Sequence, residues 1–213
     1  ERGIFTQYWS WQSVWAYLPR PLQILLARKA LIPTTRNLER PCNDIYLRRV
    51  THNDEAEFLA LMRASEELHQ PWIQAPNTPA LFKYYLQRIR RNDHEGFAIC
   101  RGTDEVIVGV ININNIVRGS FLSASLGYYV GATFQGQGYM QAGLTQLIDY
   151  AFSTMGLHRL EANIQPDNLR SQELVRRCGF EYEGLSKNFL FLDGAWRDHQ
   201  RWCVIDSRAK LRP

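Results

Sequence analysis

Several features that mark common protein classes are missing from this 213-residue sequence. Its four cysteines, Cys42, Cys100, Cys178 and Cys203, form no Cys-x-x-Cys pair, which argues against zinc-binding and redox motifs. No apolar run reaches the length of about 18 residues that a membrane-spanning helix needs. Because no secretory signal is evident either, we expect reduced thiols, a cytoplasmic location and no metal cofactor.

A strong charge imbalance is also missing. The 25 Lys and Arg residues face 21 Asp and Glu residues, which leaves a formal net charge of +4. An excess of this size suits an anionic ligand and predicts no direct binding to nucleic acid. With 45% hydrophobic residues, the chain is long enough for one domain with a full core.

The first part of the chain differs from the rest because it is rich in tryptophan and basic side chains, among them Trp9, Trp11, Trp15 and Arg28. We therefore predict an N-terminal extension of uncertain structure over residues 1–40 and a domain over residues 41–213. For the extension, packing against the domain, disorder, and a membrane-surface or partner-binding role are all open interpretations.

The spacing of apolar residues predicts an α+β domain with a mixed, partly open sheet. Strands are predicted at 44–50, 97–101, 106–114, 120–130, 158–164, 182–192 and 197–206. Helices are predicted at 53–68, 80–91, 140–155 and 168–178. Asp193-Gly194, between the last two strands, indicates a tight hairpin turn.

The most informative segment is the glycine-rich turn Gln135-Gly-Gln-Gly-Tyr-Met140, between a predicted strand and a long amphipathic helix. Free N–H groups at a helix N-terminus bind phosphate with help from the helix dipole, and glycine lets the backbone approach the anion closely. The residues after Gly138 exclude a Walker loop, which needs Gly-Lys-Ser/Thr. They also exclude the dinucleotide fingerprint, which needs a third glycine where Gln141 stands. A tight turn without a ligand is the alternative interpretation.

Downstream, Asn168-Leu-Arg-Ser171 opens a helix that ends near Gly179-Phe180. Together with Gln135, Gly138 and Met140, these residues resemble the signatures of the GNAT superfamily of acetyl-CoA-dependent N-acetyltransferases. The resemblance implies a GNAT-like acyl-CoA N-acyltransferase fold, with a twisted mixed sheet of six to seven strands flanked by about four helices. It also implies acetyl-CoA as co-substrate, bound by Tyr129, Val130, Gln135, Gly136, Gln137, Gly138, Tyr139, Met140, Asn168 and Ser171.

A narrower resemblance, to the GNAT branch that acetylates ribosomal proteins, is carried by His69-Gln-Pro-Trp72, by residues 115–121 and by Trp196-Arg-Asp-His199. It implies that the acceptor is a protein or peptide N-terminus, with a ribosomal protein starting in Ala or Ser as the leading candidate. It also implies an acceptor wall of Trp72, Arg118, Phe121 and Tyr128. A small amine such as an antibiotic or polyamine, and a non-catalytic acetyl-CoA-binding regulatory module, are the alternatives. We expect a monomer or a homodimer.

In this family the amine attacks the thioester directly. The tyrosine that many members use to protonate the departing thiolate is replaced here by Val175, so Ser171 is the predicted thiolate partner. Glu161 is the predicted general base, because it lies two residues before Asn163, where some members carry a base glutamate. A water chain, with Glu161 in a structural pair, is the alternative, and His158, Asp198 and His199 are secondary candidates.

Overall fold

The computed structural model describes residues 44–207, which form a seven-stranded mixed sheet with five helices. The strands are β1 Ile45–Arg49, β2 Glu95–Arg101, β3 Ile107–Val117, β4 Ser123–Val130, β5 Arg159–Ile164, β6 Glu181–Leu192 and β7 Ala195–Ile205. The helices are α1 Glu55–Ala64, α2 Glu66–His69, α3 Pro79–Ile89, α4 Tyr139–Ser153 and α5 Leu169–Arg177, with short 3₁₀ turns at His52–Asp54 and Ala132–Phe134. The predictions for residues 1–40 lie outside the described residues.

The strand order in the sheet is β1-β2-β3-β4-β5-β7-β6. Neighbouring strands are antiparallel except β4 and β5, which run parallel. The predicted α+β class and mixed sheet are therefore confirmed. The predicted hairpin turn is also present, because Leu192 pairs with Ala195 and both Asp193 and Gly194 have positive φ, 49° and 74°, as a type I′ turn requires.

The segment predicted as one helix over residues 53–68 is broken at Ser65, which is why the described residues hold five helices rather than four. The buried Ser65 hydroxyl donates to the Leu61 carbonyl at 2.7 Å, a local bond that competes with regular helix geometry. The same oxygen accepts the N–H of Ala132 at 2.9 Å. The break therefore ties α2 to the loop that follows β4.

The core consists of two apolar clusters on opposite faces of the sheet. Successive residues of β2 belong to different clusters, Ala98 to one and Ile99 to the other, as expected when neighbouring side chains point to opposite faces. One cluster packs α4 against the sheet, and the other packs α1 and α3. Each face is covered mainly in the region of β1 to β4, which makes those strands the rigid part of the scaffold.

Gly143, in the middle of α4, is explained by this packing. A helical glycine costs about 1 kcal/mol relative to alanine. A Cβ at this position, however, would lie 2.6 Å from Cδ1 and 3.0 Å from Cγ1 of Ile99, and 3.2 Å from Cδ1 of Ile111. Both isoleucines are fully buried, so glycine allows α4 to lie close against β2 and β3.

We predict that Gly143→Ala lowers the free energy of unfolding by about 1 kcal/mol, because steric overlap in the core outweighs the gain in helix propensity. Ile99→Val removes the nearest carbon atom, so the cost of Gly143→Ala should be smaller in that background than in the wild type. Denaturant unfolding of the two single variants and the double variant measures both effects. A stabilising Gly143→Ala, as expected for an open helix surface, would contradict the packing account.

Candidate active site

The most unusual feature of the sheet is the separation of β4 from β5. Parallel pairing joins Ser123–Leu126 to Arg159–Ala162 and goes no further, although β4 continues to Val130 and β5 to Ile164. The two strands therefore diverge around the residues for which the GNAT resemblance implies a splay. The last four residues of β4 have β3 on one side and a gap on the other.

The unpaired edge of β4 presents backbone groups of Tyr128 and Val130 to the gap. On the other side of the strand, Gly131 donates its N–H to the Val108 carbonyl at 2.9 Å. Residues of an antiparallel pair alternate between bonding to the partner strand and facing away from it. The backbone of Tyr129 therefore bonds to β3, and the N–H groups of Tyr128 and Val130 point into the gap. Of the predicted pair Tyr129 and Val130, only Val130 offers its N–H there.

His69 contacts the backbone carbonyl of Val130. It ends α2, and its Nε2 donates to the Val130 carbonyl oxygen at 2.9 Å. Only 6% of His69 is exposed, and burial lowers the pKa of its imidazole, which keeps the ring neutral near pH 7. The Val130 carbonyl is thus occupied while its N–H stays open to the gap.

A cavity of about 870 Å³ surrounds this gap. Its wall combines α2 and the loop after it with β4, the glycine-rich turn, the end of β5, one side of α5 and His199 of β7. The predicted site residues that line it are Trp72, Tyr128, Tyr129, Val130, Gln135, Gly136, Gly138, Tyr139, Met140, Asn168 and Ser171. Residues far apart in sequence therefore meet in one connected space.

The glycine-rich turn forms an anion cradle at one end of the cavity. Gly136 and Gly138 have φ of 76° and 86°, a left-handed conformation that side chains with a Cβ rarely adopt. The first bond of α4 runs from Ala142 N–H to the Gly138 carbonyl, so the N–H groups of the residues before Ala142 lie at the open end of the helix. The first turn has no acidic side chain, and a Cβ on Gly136 would meet nothing within 4 Å. These features fit the phosphates of a coenzyme A molecule.

Gln137 takes a structural position in this turn. Its Nε2 donates to the Thr133 carbonyl at 2.7 Å, a bond between two parts of the same loop. Gln137 does not line the cavity. Its predicted cofactor role can therefore come only from its backbone.

The N-terminus of α5 brings Ser171 to the floor of the cavity. Asn168 caps the helix by accepting the Ser171 N–H at 3.1 Å, which fixes where the serine side chain lies. The Ser171 hydroxyl is 2.5 Å from the Tyr128 hydroxyl. Burial raises the pKa of the Tyr128 phenol, so it stays protonated. The two hydroxyls form one hydrogen-bonding unit, and Tyr128 supports Ser171 rather than standing apart in an acceptor wall.

The structure places Glu161 outside the cavity. Arg159 Nε donates to one carboxylate oxygen at 2.8 Å and Arg201 donates to the other. This placement matches the alternative of a structural pair and does not support the predicted role of general base. Asp198 is also engaged, because it accepts the N–H of Asn188 at 2.8 Å.

Arg118 and Phe121 lie at the far end of β4 and not in the acceptor wall. Both precede Ser123, where β4 begins, and Arg118 donates to the Met155 carbonyl at 3.2 Å, just past the C-terminus of α4. The glycine-rich turn is at the other end of α4, whose 15 residues span about 22 Å. Residues that are close to a strand in sequence can lie near either of its ends. Arg118 and Phe121 precede the end of β4 that is away from the cavity. Near Val130 the cavity is lined instead by Leu68, His69, Trp72 and Ile73.

Sequence reasoning does not identify the two histidines of the cavity as principal site residues. It points to His69 only as part of a motif and to His199 only as a secondary candidate. Neither has a spacing signal, because His69 is positioned by a long-range contact with the Val130 carbonyl and His199 by the register of β7 with β5.

Residues 44–207 hold neither a candidate metal site nor a membrane-spanning helix. These residues contain no group of three or more His, Cys, Asp or Glu side chains that could hold a metal ion. Within the same residues, no helix has the length and apolar character needed to cross a membrane.

Comparison with known proteins agrees with this geometry. Residues 44–181 match a family model described as the acetyltransferase (GNAT) domain. The chain is 46% identical over 161 residues to the [Ribosomal protein uS5]-alanine N-acetyltransferase of Escherichia coli (strain K12), covering 71% of this chain and 82% of that protein. It is 23% identical over 164 residues to the spermidine N(1)-acetyltransferase of Vibrio cholerae, covering 75% and 92%.

A solved structure is also similar to this chain. Mycobacterium smegmatis RimJ in complex with CoA-disulfide superposes with a TM-score of 0.70 at 29% identity, covering 78% of this chain and 84% of that one. The domain match spans more than half of the sequence and coincides with the diverging strands and the anion cradle. The chain belongs to the GNAT family of acetyltransferases.

Proposed function

We propose that this enzyme transfers the acetyl group of acetyl-CoA to the N-terminal α-amino group of a ribosomal protein that begins with alanine or serine. The observation that carries the proposal is the Val130 N–H, which opens into a cavity between an anion cradle and a wall of neutral side chains. The relative at 46% identity is named for acetylating the alanine of a ribosomal protein, which supports the same class of acceptor here.

The cavity divides the two substrates between its two ends. The phosphates of acetyl-CoA fit the glycine-rich turn, with Arg170 and Arg177 close by in the wall. The pantetheine arm fits the unpaired edge of β4, where it can hydrogen-bond to the backbone like an added strand. In the proposed arrangement the thioester would lie beside Val130, and the end of the cavity formed by Leu68, Trp72 and Ile73 would receive the acceptor.

The charge of the cavity favours a peptide over a polyamine. Among the described residues that line it, Glu173 is the single carboxylate, and Arg176 and Arg177 occupy its oxygens at 2.7–2.9 Å. A polycation such as spermidine gains affinity from free carboxylates, which this wall does not offer. A peptide N-terminus brings one amine and a neutral backbone, which aromatic and apolar side chains accommodate.

The geometry supports direct attack without a covalent enzyme intermediate. As the amine adds to the thioester carbon, the Val130 N–H can stabilise the negative oxygen, a contribution of roughly 3–4 kcal/mol for such a donor. Ser171, backed by Tyr128, can donate a hydrogen bond to the departing thiolate. Because the assembly of ribosomal proteins takes place in the cytoplasm, the expected cytoplasmic location follows from this acceptor.

Acceptor choice is tested with a thiol-release assay. We predict turnover of peptides beginning with Ala or Ser, at a kcat/KM at least tenfold above that for spermidine, because no free carboxylate binds a polycation. N-acetylated forms of the same peptides should be inactive, since the attacking amine is blocked. Preference for spermidine would contradict the proposal, and acetyl-CoA binding without thiol release on any amine would indicate a regulatory module.

The anion cradle is tested by Gly136→Ala, with Gly119→Ala as a matched control. Both glycines have positive φ, 76° and 70°, and open space around a new Cβ, so both variants should lose a similar stability of about 1 kcal/mol. Only Gly136 lies in the cavity wall. We predict at least a tenfold increase in KM for acetyl-CoA for Gly136→Ala and no change for Gly119→Ala. Equal KM values for the two variants would place the phosphates elsewhere.

The hydrogen-bonded pair of hydroxyls on Ser171 and Tyr128 is tested by a double-mutant cycle. Ser171→Ala and Tyr128→Phe should each lower kcat, by about 30-fold and about fivefold, because Ser171 faces the thiolate and Tyr128 orients it. The double variant should lose little more than Ser171→Ala alone, since residues that act as a unit are not additive. Losses that simply multiply, measured by steady-state kinetics, would show that the two hydroxyls act separately.

A further inference from the structure

The reaction leaves one proton without an assigned acceptor. An α-amino group with a pKa near 7.8 is about 10–15% neutral at pH 7, so it can attack without prior help. Once the new C–N bond forms, however, the nitrogen carries a proton that must leave before the amide is complete. The group that takes this proton must lie in the cavity and must have a free lone pair.

His199 meets these requirements through its position in the sheet. The last residue pair between β5 and β7 is Ile164 with Gln200, so His199 lies one residue beyond the end of β5, where its remaining strand partner is Ser186 of β6. It is 2% exposed and lines the cavity. A histidine buried to this degree keeps its ring in a fixed orientation because the neighbouring side chains enclose it.

The tautomer of His199 is fixed by the backbone. Its Nδ1 is 3.0 Å from the Arg197 carbonyl oxygen, which can only accept, so Nδ1 carries the proton. The lone pair is therefore on Nε2, and no group of the described residues hydrogen-bonds to that atom. Burial lowers the pKa of the ring against the opposing effects of the Arg197 carbonyl and the Asp198 carboxylate, which keeps it neutral near pH 7.

Of the other candidate acceptors around the cavity, the carboxylates are ion-paired, and the unpartnered Nδ1 of His69 is buried. Glu161 is held by Arg159 and Arg201, and Glu173 by Arg176 and Arg177. The Nε2 of His69 is bonded to Val130, and its Nδ1 is fully enclosed. The charged groups nearest His199 are also paired, since Asp198 accepts from Asn188, and the Arg201 guanidinium, bound to Glu161, stacks 4.7 Å from the Phe189 ring.

We propose that Nε2 of His199 accepts the proton released by the attacking amine, directly or through one water molecule. The inference deepens the proposed function and rests on it. The amine nitrogen forms the C–N bond and gives its proton to His199, and the C–S bond breaks with its electron pair leaving on sulfur. The imidazolium then returns its proton to solvent, the thiolate takes one from solvent, and the net result is amide plus thiol.

The sharpest test is His199→Asn, because an asparagine Nδ2 can keep the bond to the Arg197 carbonyl while the lone pair of Nε2 is lost. We expect kcat on an Ala-starting peptide to fall at least 100-fold, the usual size of a general-base effect. The dissociation constant for acetyl-CoA and the melting temperature should stay at wild-type values. His52→Asn is the matched control, because His52 is exposed and does not line the cavity, and it should retain full activity.

A second variant separates a chemical role from a structural one. His199→Ala leaves a space of imidazole size, so added imidazole should restore at least a tenth of the wild-type kcat in a concentration-dependent manner. A purely structural role would not be rescued in this way. If His199→Asn keeps kcat within threefold of an active wild type, or if imidazole restores nothing to His199→Ala, the inference is overturned. A wild type that binds acetyl-CoA but turns over no peptide would instead overturn the proposed function, and this inference with it.

Discussion

The structure depends on one constraint: a backbone N–H in the interior needs a hydrogen-bond partner, and the end of β4 has none on one side. A parallel neighbour would normally supply it, but β5 diverges after Ala162. Because β3 pairs with β4 along the whole divergent segment, the edge stays extended and cannot collapse into the gap. The sheet thereby keeps a row of backbone donors and acceptors unpaired, and we propose that the pantetheine arm of acetyl-CoA is the extended chain that binds them.

Contacts from three directions hold this edge in place. Ser65 binds the Ala132 N–H, His69 binds the Val130 carbonyl, and Tyr128 reaches across the gap to Ser171 on α5. The contacts of Ser65 and His69 join β4 and the loop after it to α2, and the contact of Ser171 joins β4 to α5. Rearrangement of either helix would therefore shift the Val130 N–H, which links the packing of the scaffold to the proposed position of the thioester.

Features that are local in sequence could be predicted, and features that depend on register could not. The turn Gln135–Met140 and the cap Asn168–Ser171 are each contiguous, so glycine spacing and capping chemistry were enough to locate them. Glu161 and Arg118 looked suitable by residue type, but ion pairing removes the first and strand direction removes the second from the cavity. His199 needed the register of β5 with β7, which no sequence spacing encodes. The helix break at Ser65 accompanies a hydrogen bond from the Ala132 N–H to the Ser65 hydroxyl, and this contact is distant in sequence.

The most direct measurement is backbone amide exchange at three successive residues of β4, followed by NMR with and without coenzyme A. In the free protein, Tyr129 should exchange slowly because it bonds to Val110, and Tyr128 and Val130 should exchange faster. Saturation with coenzyme A should slow Tyr128 and Val130 at least tenfold and leave Tyr129 unchanged. Unchanged exchange at Val130 in the saturated protein would contradict the claim that the unpaired edge of β4 holds the co-substrate.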